Sequence, residues 1–113
     1  MQLIKQSQAN KIQATQSTLF YEYFANDKTM GGALITINGR YPDHGFALNQ
    51  ICKELAYIIK GTGTLATENS IANFTEGDSL FIPPNEKFVW EGSFTMYVVT
   101  TPAFDPKQHI LVQ

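Results

Sequence analysis

The sequence predicts an all-β fold, on three observations. Short runs rich in Phe, Tyr, Ile, Val and Thr recur from Thr18 to the C-terminus, and these side chains suit a pleated, half-buried surface. Turn formers separate them, among them Asn38-Gly39, Gly61-Thr62-Gly63 and Pro83-Pro84-Asn85. No stretch sustains the 3.6-residue periodicity of a dependable amphipathic helix. Many short strands at this spacing imply a sandwich or barrel.

Residues 1–16 are polar and Gln-rich, which predicts an arm or edge strand, with a short helix over Lys5–Gln16 as the alternative. Thr18–Phe24 is the first aromatic strand, and left on an open edge it would need cover. Ala33–Ile37 follows and stops at Asn38-Gly39. The turn Pro42-Asp43-His44-Gly45 comes next. Glu54–Ile59 and Thr64–Ala66 read as two strands parted by the Gly61 turn. Ile71–Phe74 and Ser79–Ile82 flank the turn Glu76-Gly77-Asp78. Lys87–Trp90 and Thr95–Thr101 are set apart by Glu91-Gly92. At 113 residues, with no internal repeat or linker, the expectation is one domain over 1–113.

Composition narrows the function classes. Net charge of −2 leaves no basic footprint for nucleic acid or anionic lipid. The longest apolar run, Leu55 to Ile59, is far short of the roughly 20 residues a membrane helix needs. Cys52 stands alone, so no internal disulfide forms, and the N-terminus lacks the apolar stretch of a secretory signal. The expected location is cytoplasmic.

Two spacings carry more information. Six residues separate Glu54 from Gly61, and five separate Gly77 from Pro83. With Gly39 upstream, these resemble the two motifs of the cupin family. The tail Thr101-Pro102-Ala103-Phe104-Asp105-Pro106, and the clusters Cys52-Lys53-Glu54 and Trp90-Glu91-Gly92, look like short single-domain bacterial cupins of the conserved-barrel type. The resemblance covers roughly residues 31–112. It implies a jelly-roll (double-stranded β-helix) barrel that pairs as a homodimer.

The family's metal-binding histidine places hold other residues here. In the first motif they fall on Ala47 and Asn49, or one residue later on Leu48 and Gln50; in the second the histidine place is Phe88, and Asn85 stands where the family has glycine. Counted from Gly39, His44 sits one residue short of the first histidine place, and it reads as a turn residue. His109 reads as a surface or tail-packing residue. A carboxylate with neutral amides makes a weak transition-metal site, so no metal and no other cofactor is expected.

The resemblance points Glu54 into the barrel, between Ala56, Ile58 and Phe88. There a carboxyl must find a partner or titrate upward. It is either a general acid or base, or a structural residue bonded to a tyrosine, Asn49 or Gln50. Cys52 shares strand parity with Glu54 and reads as a buried, inert thiol. Phe88 and Trp90 share a face, either packing the core or stacking on a ligand, with Trp90 nearer the mouth. Arg40 and Tyr41 either guard the rim or are solvated loop residues.

The expectation is a metal-free barrel binding a small organic molecule through Glu54, Asn49, Gln50, Cys52, Phe88 and Trp90. The alternative is a metal-independent isomerase, epimerase or lyase using Glu54. Metal-independent cupin-like sugar epimerases use a His and a Tyr for which the sequence alone offers no placement. A metal-dependent dioxygenase would need ligands that these positions lack.

Overall fold

The computed structural model describes all residues from Met1 to Gln113. Nine strands form: β1 (Asn10–Thr15), β2 (Thr18–Tyr23), β3 (Gly31–Tyr41), β4 (Phe46–Asn49), β5 (Lys53–Thr67), β6 (Ile71–Thr75), β7 (Ser79–Ile82), β8 (Phe88–Thr101) and β9 (His109–Val112). The only helical pieces are 3₁₀ turns at Gln6–Gln8 and Pro106–Gln108. The sheet runs β1-β2-β3-β8-β4-β9, while β5 pairs with β6, β7 and β8. The all-β expectation is met. No helix is long and apolar enough to cross a membrane.

Residues 1–16 contribute the edge strand β1, which runs antiparallel to β2. Thr18–Phe24 is therefore no open edge, because β1 covers one side and β3 the other. Three expected turns do not end strands, the first being Asn38-Gly39, which lies inside β3. The segments read as Glu54–Ile59 and Thr64–Ala66 are one fifteen-residue strand, β5; Lys87–Trp90 and Thr95–Thr101 merge into β8. A register shift between Ile58 and Lys60 lets β5 bend without losing its pairing with β8.

Glycine makes the bend possible. Gly39, Gly92 and Gly63 lie opposite one another on β3, β8 and β5. Gly92 has φ 143°, and a Cβ there would meet the Gly63 backbone. The strands thus fold over a row with no side chains. Gly61, the glycine closing the first motif, has φ 91° and no room for a Cβ beside the Ser93 carbonyl.

Inside the bend lies an apolar core that includes Ile58, Phe74, Trp90, Phe94 and Met96. Phe74 packs edge-on against Phe94 and Trp90, with centroids 4.8 and 5.6 Å apart. The strands β4 and β9 were not anticipated. They pair with each other in the register Asn49↔His109, at the rim of the barrel.

Candidate functional site

A cavity of about 300 Å³ opens beside the core. Tyr41, Glu54, Thr100 and His109 are among its lining residues; Phe88, Trp90, Met96 and Val98 supply apolar wall. The mouth lies at the β2–β3 loop, where exposed Phe24 and Met30 join Asp27 and Lys28. Trp90 is buried, so it is not the mouth residue its position near Glu91-Gly92 implied.

Strand alternation brings the polar groups inward. On β3, Ile35, Ile37 and Tyr41 share one face, and Tyr41 lies opposite Trp90. On β5, Glu54 shares its face with buried Ala56 and Ile58, as expected. Asn49, at the end of β4, is 2% exposed. The inward residues of β4 are Ala47 and Asn49, which selects the first of the two registers; Gln50 is exposed and lies off the cavity.

These side chains form a continuous hydrogen-bonded chain. The Tyr41 hydroxyl lies 2.8 Å from His109 Nε2, and His109 Nδ1 lies 2.8 Å from Asn49 Oδ1. Asn49 Nδ2 donates to Glu54 Oε1 at 2.9 Å. His109 is thus no bland tail residue: it connects residues drawn from β3, β4, β5 and β9.

The direction of every proton in the chain follows from two backbone amides. Ile51 N–H and Cys52 N–H both donate to Gln108 Oε1, at 3.1 Å each. The amide end of Gln108 must then face Asn49 Oδ1, to which Nε2 donates at 3.2 Å. Asn49 Oδ1 is therefore the acceptor, and His109 Nδ1 must carry a proton. In the neutral ring Nε2 is bare and accepts the Tyr41 hydroxyl proton.

Burial favours that neutral arrangement. It lowers the His109 pKa and pushes the Tyr41 hydroxyl up to about 12, with the nearby Glu54 charge and then Asp43 adding to the rise. Glu54 keeps a partial opening to the cavity, yet protein surrounds its carboxyl on nearly every side. Desolvation raises its pKa, opposed by the Asn49 hydrogen bond. Two acid–base groups with environments of opposite effect face one cavity.

Glu54 should therefore reduce stability at neutral pH. A raised folded pKa gives full stability below the ordinary carboxylate value of 4.5 and loses it as pH climbs through the folded value. Glu54→Gln retains an acceptor for Asn49 and removes the charge. It is expected to raise stability at pH 7 by about 1 kcal/mol, roughly 4 °C in Tm. The gain should shrink toward pH 4. Melting curves of both proteins from pH 4 to 8 check this; a gain independent of pH would contradict it.

Cys52 is buried, but strand β5 begins only at Lys53, so the parity argument does not reach it. It borders a separate hollow with Pro102, Phe104 and Gln108. Burial, then the Glu54 charge, pushes its thiol up to about 11, which disfavours the thiolate. Phe88 and Trp90 belong to the core cluster and also line the cavity. Arg40 pins the following loop by donating to the Pro42 and Gly45 carbonyls. Asn85 adopts φ 66°, the left-handed conformation its glycine place demands, and its N–H holds the Asn49 carbonyl.

The donor set does not fit a two-histidine, one-carboxylate metal centre. Ala47, Asn49, Glu54 and Phe88 occupy the corresponding places, both nitrogens of His109 are engaged, and His44 is exposed. No three His, Cys, Asp or Glu side chains converge anywhere in the protein.

No family model and no curated protein matches the chain. Solved structures do. The nucleoside dehydratase Pac13 from Streptomyces superposes with a TM-score of 0.89 at 15% identity, over 100% of this chain and 92% of its own. KdgF from Halomonas sp. gives 0.76 at 11% identity, over 95% and 98%. An RmlC-like cupin from Shewanella frigidimarina gives 0.73 at 16%, over 89% and 90%. Likeness at such low identity speaks to architecture, and with the jelly-roll strand order it leads to one conclusion: the chain has the cupin fold.

Proposed function

We propose that this protein is a metal-independent lyase or isomerase acting on a small, uncharged organic molecule held in the barrel cavity. The observation that carries the reading is the Tyr41–His109–Asn49–Glu54 chain, which presents Tyr41 and Glu54 to the same cavity. Tyr41 takes a carbon-bound proton from the substrate as its own proton passes to His109 Nε2. The resulting imidazolium keeps its Nδ1–H on Asn49 Oδ1, so no group has to reorient. Glu54, whose burial raises its pKa and so favours the acid form, gives a proton to a departing hydroxyl in a lyase, or to a neighbouring carbon in an isomerase. The mostly apolar wall favours a ligand without charge.

Pac13, a nucleoside dehydratase studied with uridine, supports a lyase on this scaffold. The same cavity used only for binding is the second reading, supported by the apolar lining. The outer faces of β5 and β7 expose Leu55, Tyr57, Ile59 and Phe81, and this apolar surface is where a second copy would pair in a homodimer. A cytoplasmic setting, without nucleic-acid or membrane partners, completes the proposal.

A metabolite screen by thermal shift, followed by turnover assays, tests it. The hits should be turned over by chelator-treated protein, with a bell-shaped pH profile reporting Glu54 and the Tyr41–His109 pair. Ligand binding without turnover would leave the binding reading standing. Loss of turnover on metal removal, restored by adding back one equivalent of metal, would overturn the mechanism.

A further inference from the structure

Gln108 is buried beside the site, yet the proposed reaction makes no use of it. Its side chain is off the cavity and borders the outer hollow with Cys52 and Pro102. The backbone there is pinned on both sides. The Asp105 carbonyl accepts from Gln108 N–H at 3.1 Å, and the Gln108 carbonyl accepts from Gln50 N–H at 2.9 Å. The Asp105 carboxylate caps the same turn by accepting from Lys107 N–H at 3.0 Å. The amide can then point only one way. Turned over, its NH₂ would face the N–H groups of Ile51 and Cys52, and Cys52 is 1% exposed, so no solvent substitutes for the lost acceptor. Turning Asn49 over instead would set NH₂ against NH₂.

We infer that Gln108 is a positioning residue, which acts through Asn49 to make His109 a base for Tyr41 and to leave Glu54 free to act as an acid. The inference rests on the acid–base reading of Tyr41, His109 and Glu54 proposed above. With Asn49 Oδ1 held toward His109, Nδ1 carries the proton and Nε2 is bare toward the Tyr41 hydroxyl. Asn49 Nδ2 is left to donate to Glu54 Oε1. Reversing the Asn49 amide reverses every direction. His109 Nδ1 would then accept, its Nε2–H would face the Tyr41 oxygen, and Tyr41 would have no group to take its proton. Asn49 Oδ1 would face Glu54 Oε1, where only a carboxylic acid proton makes a bond, so Glu54 would hold its proton on Asn49 and withhold it from a substrate. The reference for the whole chain is two backbone N–H groups, which do not titrate.

The chain has two histidines, so ¹⁵N-histidine labelling of the full protein reads both imidazoles by NMR, with exposed His44 as the unconstrained reference. Wild-type His109 should show Nδ1–H with less than about a tenth of the other tautomer. Gln108→Glu keeps the acceptor for both backbone amides, but its carboxylate only accepts, so Asn49 should turn over and the tautomer ratio should move toward Nε2–H by about tenfold or more. Gln108→Met offers neither strong donor nor acceptor and should give a mixture. On a substrate found by the screen, Gln108→Glu should lower kcat by about tenfold or more with KM within about threefold, since the side chain is off the cavity. A purely structural role would lower Tm in both variants and leave the His109 spectrum unmoved. An unmoved tautomer in both variants overturns the positioning role and leaves the Tyr41–Glu54 reading standing. Wild-type His109 in the Nε2–H form overturns both. Inversion of the tautomer with kcat unchanged likewise overturns the role, and removes the Tyr41–His109 base with it.

Discussion

Tyr41→Phe is expected to lower turnover by about 10²–10⁴-fold on a substrate found by the screen, the usual weight of one general acid–base group. The reason is geometric. The Tyr41 hydroxyl bonds to His109 Nε2, and both side chains line the cavity. Phenylalanine keeps the ring that stacks on His109 and takes the edge of Phe20, so the barrel should remain folded. Substrate affinity should change much less than turnover, because the removed contact belongs to the transferring proton. His109→Gln should show the same loss and abolish the corresponding limb of the pH profile. Turnover within about threefold of wild type in both variants would remove the pair from the mechanism.

Asn49→Ala is expected to destabilise the fold by about 3 kcal/mol or more, since it strips partners from three groups together. His109 Nδ1–H, Gln108 Nε2–H and Glu54 Oε1 all depend on the Asn49 amide. The loss should depend on pH, with a definite sign. The Asn49 hydrogen bond holds down a Glu54 pKa that burial raises, so removing it raises that pKa further. The deprotonated state therefore suffers most, and the cost at pH 7 should exceed the cost at pH 4. Urea unfolding at both values measures this. In the same variant, ¹⁵N shifts of the imidazole should move from a pure Nδ1–H tautomer toward a mixture. A loss below about 1 kcal/mol, equal at both pH values, would show that the chain of bonds adds nothing to stability.

Much of the barrel was legible because local chemistry governs it. Ser79–Ile82 was bounded correctly from its apolar run and flanking turns, and Asn85 was marked by the glycine place it fills. The inward direction of Glu54 was also legible, through the resemblance to cupins, and its alternation with buried Ala56 and Ile58 agrees with it. Strand ends were less so. Glycine ordinarily signals a turn, but Gly61, Gly63 and Gly92 bend strands that keep their hydrogen bonds to neighbours. Local sequence does not distinguish a glycine that ends a strand from one that folds it.

The site was harder to read for a related reason. Tyr41 and His109 are 68 residues apart, and each taken alone looks like a loop or tail residue. A usable signal did exist: the period-2 alternation of Ile35 and Ile37, continued past Asn38-Gly39, puts Tyr41 on the inner face. His109 had no such marker, because its place depends on β9 pairing with β4 in the register Asn49↔His109.

What the residues determine by themselves is a closed β architecture with one carboxyl turned inward and no imidazoles at the metal places. Alternation and turn chemistry act over a few positions and give the all-β class; the closed barrel, the inward carboxyl and the metal places come through the resemblance of the Gly, Glu and Pro spacings to cupins. Only the tertiary structure decided that the carboxyl joins an amide, an imidazole and a phenol in one hydrogen-bonded chain. That chain is closed by backbone amides at Ile51 and Cys52 orienting Gln108, a contact across 57 and 56 residues. Hydrogen-bond direction depends on which groups meet in space, and strand register sets that.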